Sequence, residues 1–174
     1  MFYIYVDGSC IGNQNVDHNT PAGWGVVIVV DSNDLGRGNG EIFHEFHGKV
    51  ITDINDDKFI GAEVGSNNTA ELTAFAEALR WCLTQGGEED IIIKTDSQYA
   101  GNQATGKWKA KANKVLVKKV QNLWKEVSGL RNLSWEHVKA HSGHRWNERA
   151  DHLAIRATLG EVPESLSFWK PGQR

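Results

Sequence analysis

Four acidic residues stand where a carboxylate has chemical use: Asp7 in "YVDGSC", Glu71 in "NNTAEL", Asp96 in "KTDSQY" and Asp151 in "HSGHRWNERAD". Asp7 and Asp96 each follow an apolar run, at the point where a buried strand should end. Glu71 lies one turn before Phe75, at the rim of an apolar helical stripe, and Asp151 sits in the same way beside Ala150, Leu153 and Ala154. Each has an ordinary role open to it. Asp7 before Gly8-Ser9 suits a turn and Asp96 a helix cap. Glu71 suits the far end of a capping box begun at Asn68, and Asp151 the positive end of a helix dipole. Gathered at one point instead, the four would repel one another and resist ionisation. Divalent cations relieve that repulsion, and hard oxygen donors favour Mg²⁺ or Mn²⁺ over zinc or copper. Two such ions about 4 Å apart can clamp the attacking and leaving oxygens of a phosphodiester.

One histidine extends this chemistry. His141 precedes a Ser-Gly turn, which places it on a loop, and an imidazole there can pass protons near neutral pH. Taken alone, a loop histidine is more often a plain surface residue. His137, His141 and His144 do not make a zinc site: the first falls on a strand pattern, the others on a loop, and no cysteine is near.

Positioning these groups requires a sheet. Continuous apolar runs at 2–6, 23–31 and 91–96 predict strands covered on both faces. Residues 41–50 suit a third strand and 133–140 an alternating edge strand. Leu72, Phe75, Ala76, Leu79, Cys82 and Leu83 form a helical stripe within 68–84, closed by "QGG". A short helix starts at Ser97, a basic one covers about 113–128, and a last one spans 147–159. Residues 31–40 read as loop and 52–65 carry no clear pattern. Strands followed by alternating helices and strands predict an α/β domain over 1–159, with helices packed on a mixed sheet and ligands beyond strand ends. Residues 160–174 read as a loosely packed tail.

Composition narrows the class. The chain of 174 residues is 24% charged and 40% hydrophobic, as a globular domain is. No apolar run approaches the roughly 20 residues that cross a bilayer, and no signal peptide is visible. Two lone cysteines, Cys10 and Cys82, fit reduced thiols in a cytoplasmic protein. The net charge of −3 hides an asymmetry: seven lysines and no acid lie between Lys107 and Lys125, leaving 12 basic and 22 acidic residues elsewhere. That segment is either a solvated helix face or the contact for a polyanion.

Taken together and in order, "YVDGSC", "NNTAEL", "KTDSQY" and "HSGHRWNERAD" resemble the type 1 ribonuclease H family, over roughly residues 2–158. The resemblance implies a ribonuclease H-like fold, a five-stranded mixed sheet of order 3-2-1-4-5 with the second strand antiparallel, flanked by helices. It implies hydrolysis of the RNA strand of an RNA–DNA hybrid, leaving 5′-phosphate and 3′-hydroxyl ends. Two Mg²⁺ ions, or Mn²⁺ in their place, would be held by Asp7, Glu71, Asp96 and Asp151, with Asp7 bridging. His141 matches the family's mobile-loop histidine, and Asn147 the asparagine that helps place it. Minor-groove contacts carry over to Asn13, Asn67, Asn68 and Gln98, a ribose contact to the backbone at Cys10, and a DNA-phosphate seat to Ser66. The 2′-hydroxyl is what separates RNA from DNA at such contacts. The segment from Trp24 to Ser66 is longer than in compact members, and the family's basic protrusion is cut short, leaving Trp108 and its lysines as a reduced DNA-strand surface.

Rival expectations are a DNA-cutting enzyme of the same fold, such as an integrase, a silent nucleic-acid binder, and a reverse-transcriptase fragment. The four motifs argue against the first, and the full set of acids against the second. Met1 just before the first strand and the tail after the last helix favour a stand-alone chain, and nothing demands more than a monomer.

Overall fold

The computed structural model describes residues 1–173. Three antiparallel strands open the chain: β1 (Phe2–Cys10), β2 (Ala22–Val30) and β3 (Glu41–Lys49). There follow α1 (Asn67–Thr84), β4 (Ile91–Thr95), α2 (Gln98–Ala104), α3 (Lys114–Leu130), β5 (Leu133–His137) and α4 (Arg145–Leu159). The sheet runs β3-β2-β1-β4-β5, with β4 parallel to both β1 and β5. This is the expected order, with the second strand antiparallel.

Continuous apolar runs reflect burial on both faces. Ile4 and Val6 of β1, Val26 and Ile28 of β2 and Ile91 and Ile93 of β4 pack under α1 and α3 through Leu72, Phe75, Leu79, Leu116 and Val120. The alternate residues Tyr3, Tyr5, Val27 and Val29 pack against Trp146, Ala150 and Leu153 of α4. Two glycines set how closely the layers approach. A Cβ on Gly8 would lie 2.4 Å from the Glu71 backbone nitrogen, and one on Gly25 would lie 2.5 Å from the Ala150 carbonyl oxygen.

The structure corrects three local expectations. β1 does not end at Val6. Its parallel pairing with β4 stops at Val6↔Thr95, but its antiparallel pairing with β2 continues to Cys10↔Ala22. Asp7 therefore sits inside a strand, at the position where one neighbour departs. The cap of α1 is Ser66, whose hydroxyl accepts from Thr69 N while Thr69 Oγ1 accepts from Ser66 N. That box is satisfied without Glu71. Ser97, not Asp96, caps α2 by accepting from Ala100 N (3.0 Å).

Residues 160–173 are tied down against α4 rather than loosely packed. Trp169 is buried and lies 5.3 Å from the Arg149 guanidinium. Arg149 donates to the Glu164 carbonyl (2.8 Å), and Glu164 N donates to His152 Nε2 (2.9 Å). Residues 52–65, which carry no pattern in the sequence, run from the end of β3 across to α3. Ile60 and Ala62 join the core there, and a Cβ on Gly61 would lie 2.7 Å from Leu116 N. Most of this segment is irregular, so its apolar residues follow neither a helical nor a strand period.

Candidate active site

Register brings the acids together. Val6 and Thr95 are the last partners of the β1–β4 ladder, so Asp7 and Asp96 follow side by side on adjacent parallel strands. Gly8 lets the first turns of α1 drop onto β1, which delivers Glu71 to the same point. One carboxylate oxygen from each of Asp7, Glu71 and Asp96 lies within 4.8 Å of the others, the one such cluster among the described residues. Asp151, on the second turn of α4, lines the same cleft but stands outside that triad.

The electrostatics of the cluster suit cation binding. Asp7 is buried, and burial followed by the charges of Glu71, Asp96 and Asp151 pushes its pKa well above the ordinary 3.8. Burial and the Asp96 charge push Glu71 from 4.5 to about 8, against hydrogen bonds from Asp7 and Gly8 that favour its anion. Burial raises Asp96 too, partly offset by the Asn147 amide, whose Nδ2 donates to Asp96 Oδ2 (3.5 Å). Glu71 Oε2 and Asn147 Oδ1 are buried acceptors with no hydrogen-bond donor. Orphaned acceptors and carboxyls held off ionisation are both satisfied by a hard divalent cation, and the donor set is all oxygen. Asp7, Glu71 and Asp96, with Asp151 at the rim, are the residues able to hold it.

The cleft measures about 450 Å³ and is lined further by Ser9, Asn67, Asn68, Ser97, Ala140, His141 and Ile155. His141 is exposed on the β5–α4 loop at φ +52. Asn13 is tied to the same end of α1, its Oδ1 accepting from Asn67 N (3.0 Å). Cys10 Sγ donates to the Gly65 carbonyl (3.6 Å), beside the Ser66 cap. Gln98 is exposed at the start of α2.

Trp108 does not reach the cleft. It lines a neighbouring slot of about 560 Å³ with Tyr99, Gln103, Asn113, Lys107, Lys109 and Lys111. Asn68 lines both spaces and so joins slot to cleft. Sequence reasoning missed Ser9, Ser97 and Ile155 at the cleft and Tyr99 and Gln103 in the slot. Ser9 was within reach, since it shares a strand face with Asp7 two residues away. The others gave no signal of their own.

An open five-stranded sheet of this order, with a carboxylate cluster where its central parallel pair ends, defines an α/β protein of the ribonuclease H-like fold. The solved ribonuclease H1 of the halophilic archaeon Halobacterium salinarum superposes with a TM-score of 0.65 at 29% identity, covering 91% of this chain and 98% of that one. LC11-RNase H1, solved in complex with an RNA/DNA hybrid, gives a TM-score of 0.66 at 25% identity, covering 92% and 98%. A ribonuclease H from Cyanothece sp. is 32% identical over 169 residues, 92% of this chain and 91% of its own. The family profile described as RNase H matches residues 1–158, and the chain belongs to the ribonuclease H family.

Proposed function

We infer that this protein is an endonuclease that hydrolyses the RNA strand of RNA–DNA hybrids. The observation that carries the reading is the buried triad Asp7–Glu71–Asp96, in a chain of this family, with an orphaned acceptor at its centre. The hybrid bound by the LC11 relative supports the choice of substrate.

Asp7, Glu71, Asp96 and Asp151 would hold two Mg²⁺ ions, for which Mn²⁺ can substitute. Bound there, the ions supply Lewis-acid polarisation of the scissile phosphate and lower the pKa of an attacking water. The protein's own groups do the rest. Burial and the surrounding carboxylates hold Asp7 and Glu71 back from ionisation, so cation binding at these oxygens would be coupled to proton release. Asn147 holds Asp96 in place through its amide. His141, at the exposed rim, moves a proton to the departing 3′-oxygen or eases product release, and the products carry 5′-phosphate and 3′-hydroxyl ends. Asn13, Asn67, Asn68, Gln98 and the Cys10 backbone face the minor groove, where amides both donate and accept. Ser66 seats a DNA phosphate, and the Trp108 slot with its three lysines receives the DNA strand by stacking and charge. The catalytic domain covers 1–159, with 160–174 as its C-terminal extension, and the enzyme works as a cytoplasmic monomer. No helix among the described residues is long and apolar enough to cross a membrane.

The test is Mg²⁺-dependent cleavage of a labelled hybrid beside single-stranded RNA, duplex RNA and duplex DNA. Cleavage confined to the RNA strand of the hybrid is expected, and its loss in Asp7→Asn. Cleavage of duplex DNA instead, or an Asp7→Asn variant of full activity, would overturn the reading.

A further inference from the structure

Residues 31–40, which join β2 to β3, converge on one short segment of the chain. The Arg37 carbonyl accepts from Arg145 N (2.8 Å). The Asn39 carbonyl accepts from Trp146 Nε1 (2.8 Å), and Trp146 is buried. Gly38 has φ +108, and a Cβ there would lie 2.9 Å from Arg145 Cβ and 3.3 Å from Trp146 Cδ1. The loop backbone thus lies directly against the first turn of α4. A Cβ on Gly143 would lie 3.5 Å from Arg37 Nη1, so the Arg37 side chain flanks the turn that follows His141.

The loop is itself held down. Asp34 accepts from the buried Lys94 ammonium (2.8 Å), which also donates to Glu136 (2.8 Å). Lys94 lies on β4 and Glu136 on β5, so Asp34 fastens the loop to the half of the sheet from which the His141 loop departs. A second brace lies beneath. His144 Nδ1 accepts from Asn147 N (3.5 Å), which leaves the proton of a neutral ring on Nε2, 3.4 Å from the Tyr5 hydroxyl. Residues 141–143 belong to no helix or strand, and His141 and Gly143 both have positive φ. Within the turn, Ser142 Oγ donates to the Lys139 carbonyl (2.8 Å) and Gly143 N to Glu148 Oε1 (3.0 Å), and the 31–40 loop grips the chain just after it, at Arg145 and Trp146.

Building on the function inferred above, we propose that the 31–40 loop is a positioning device for His141, working through Arg145 and Trp146. It clamps the C-terminal end of the histidine's loop to the sheet that carries the acids. None of its residues touches the reacting groups. The loop lies within the long stretch between Trp24 and Ser66, and this role would give that part of it a use.

Two variants test this. Trp146→Phe removes the indole donor and keeps an aromatic ring, and Asp34→Asn weakens the tie to Lys94 without entering the core. Hydrogen–deuterium exchange needs no substrate, so it judges the clamp even if hybrid cleavage fails. Amides of residues 140–147 should exchange about tenfold faster in Trp146→Phe, the worth of one buried hydrogen bond, while β1 and α1 stay unchanged. Unchanged exchange at 140–147, or uniform acceleration throughout, overturns the proposal. In hybrid cleavage, both variants should lower kcat with KM unchanged, and neither should reduce kcat further in a His141→Ala background. Losses that multiply with His141→Ala would show that the loop acts elsewhere.

Discussion

Replacing Glu71 by glutamine should make the metal-free protein more stable while destroying its metal site. The wild-type carboxyl titrates at 4.5 when exposed and at about 8 in the fold, because burial and Asp96 disfavour its anion. Between those values the native state holds a proton that the unfolded chain has released. Stability therefore falls as pH rises, by about 1.4 kcal/mol per unit. From pH 4.5 to 7 this amounts to about 3 kcal/mol, reduced to the extent that Asp7 shares the proton. Glutamine has the same shape and does not titrate, so it escapes that loss. The variant should match the wild type near pH 4.5 and exceed it by about 2–3 kcal/mol at pH 7. Urea unfolding in EDTA, followed by the fluorescence of the seven tryptophans, measures the difference across this range. Saturating Mg²⁺ should reverse the order, since only the wild type gains the full linkage term. A difference that does not change with pH, or a variant less stable than wild type at pH 7 in EDTA, would refute the argument.

Further outcomes follow from the same geometry. His141→Ala should slow turnover by about two orders of magnitude or more, in keeping with the usual 10²–10⁴-fold worth of a positioned proton carrier, and leave Mg²⁺ affinity by calorimetry unchanged. Gly8→Ala puts a Cβ 2.4 Å from the Glu71 backbone nitrogen and 2.5 Å from the Ala70 carbonyl carbon, where no side chain can yield. It should destabilise by about 2–3 kcal/mol in urea and lower Mg²⁺ affinity, because α1 carries Glu71 away with it. Glu45→Gln leaves the buried Arg149 without the carboxylate that receives it at 2.8 and 2.6 Å. That should lower stability by about 3 kcal/mol at pH 7 and leave the pH profile of cleavage unaltered.

The sequence was most informative where one local period decides the outcome. The stripe from Leu72 to Leu83 marked α1, and the apolar runs marked β1, β2 and β4, because burial on one stripe or on both faces leaves its own spacing. It was misleading where two local solutions compete. Asn68 suits a cap by residue type, but Ser66 caps α1, where Gly65 N donates to the Asp17 carbonyl and Thr69 Oγ1 to the Val64 carbonyl beside it. The end of β1 was misplaced because Asp7 and Gly8 are poor strand formers alone, yet pairing with β2 carries the strand to Cys10.

The acids could be named from their motifs, but their meeting could not. Asp7 and Asp96 become neighbours through a parallel register ending at Val6↔Thr95, and nothing near either residue encodes that alignment. The outlying position of Asp151, the separation of Trp108 from the cleft, and the strap of 160–173 over Arg149 are likewise tertiary facts. So is the hold of the 31–40 loop on α4, which joins residues more than a hundred positions apart, Asn39 to Trp146 among them. Side-chain type and spacing are local properties and survive in the linear chain. Distance between remote carboxylates, and the burial that holds their protons, exist only once the layers have packed.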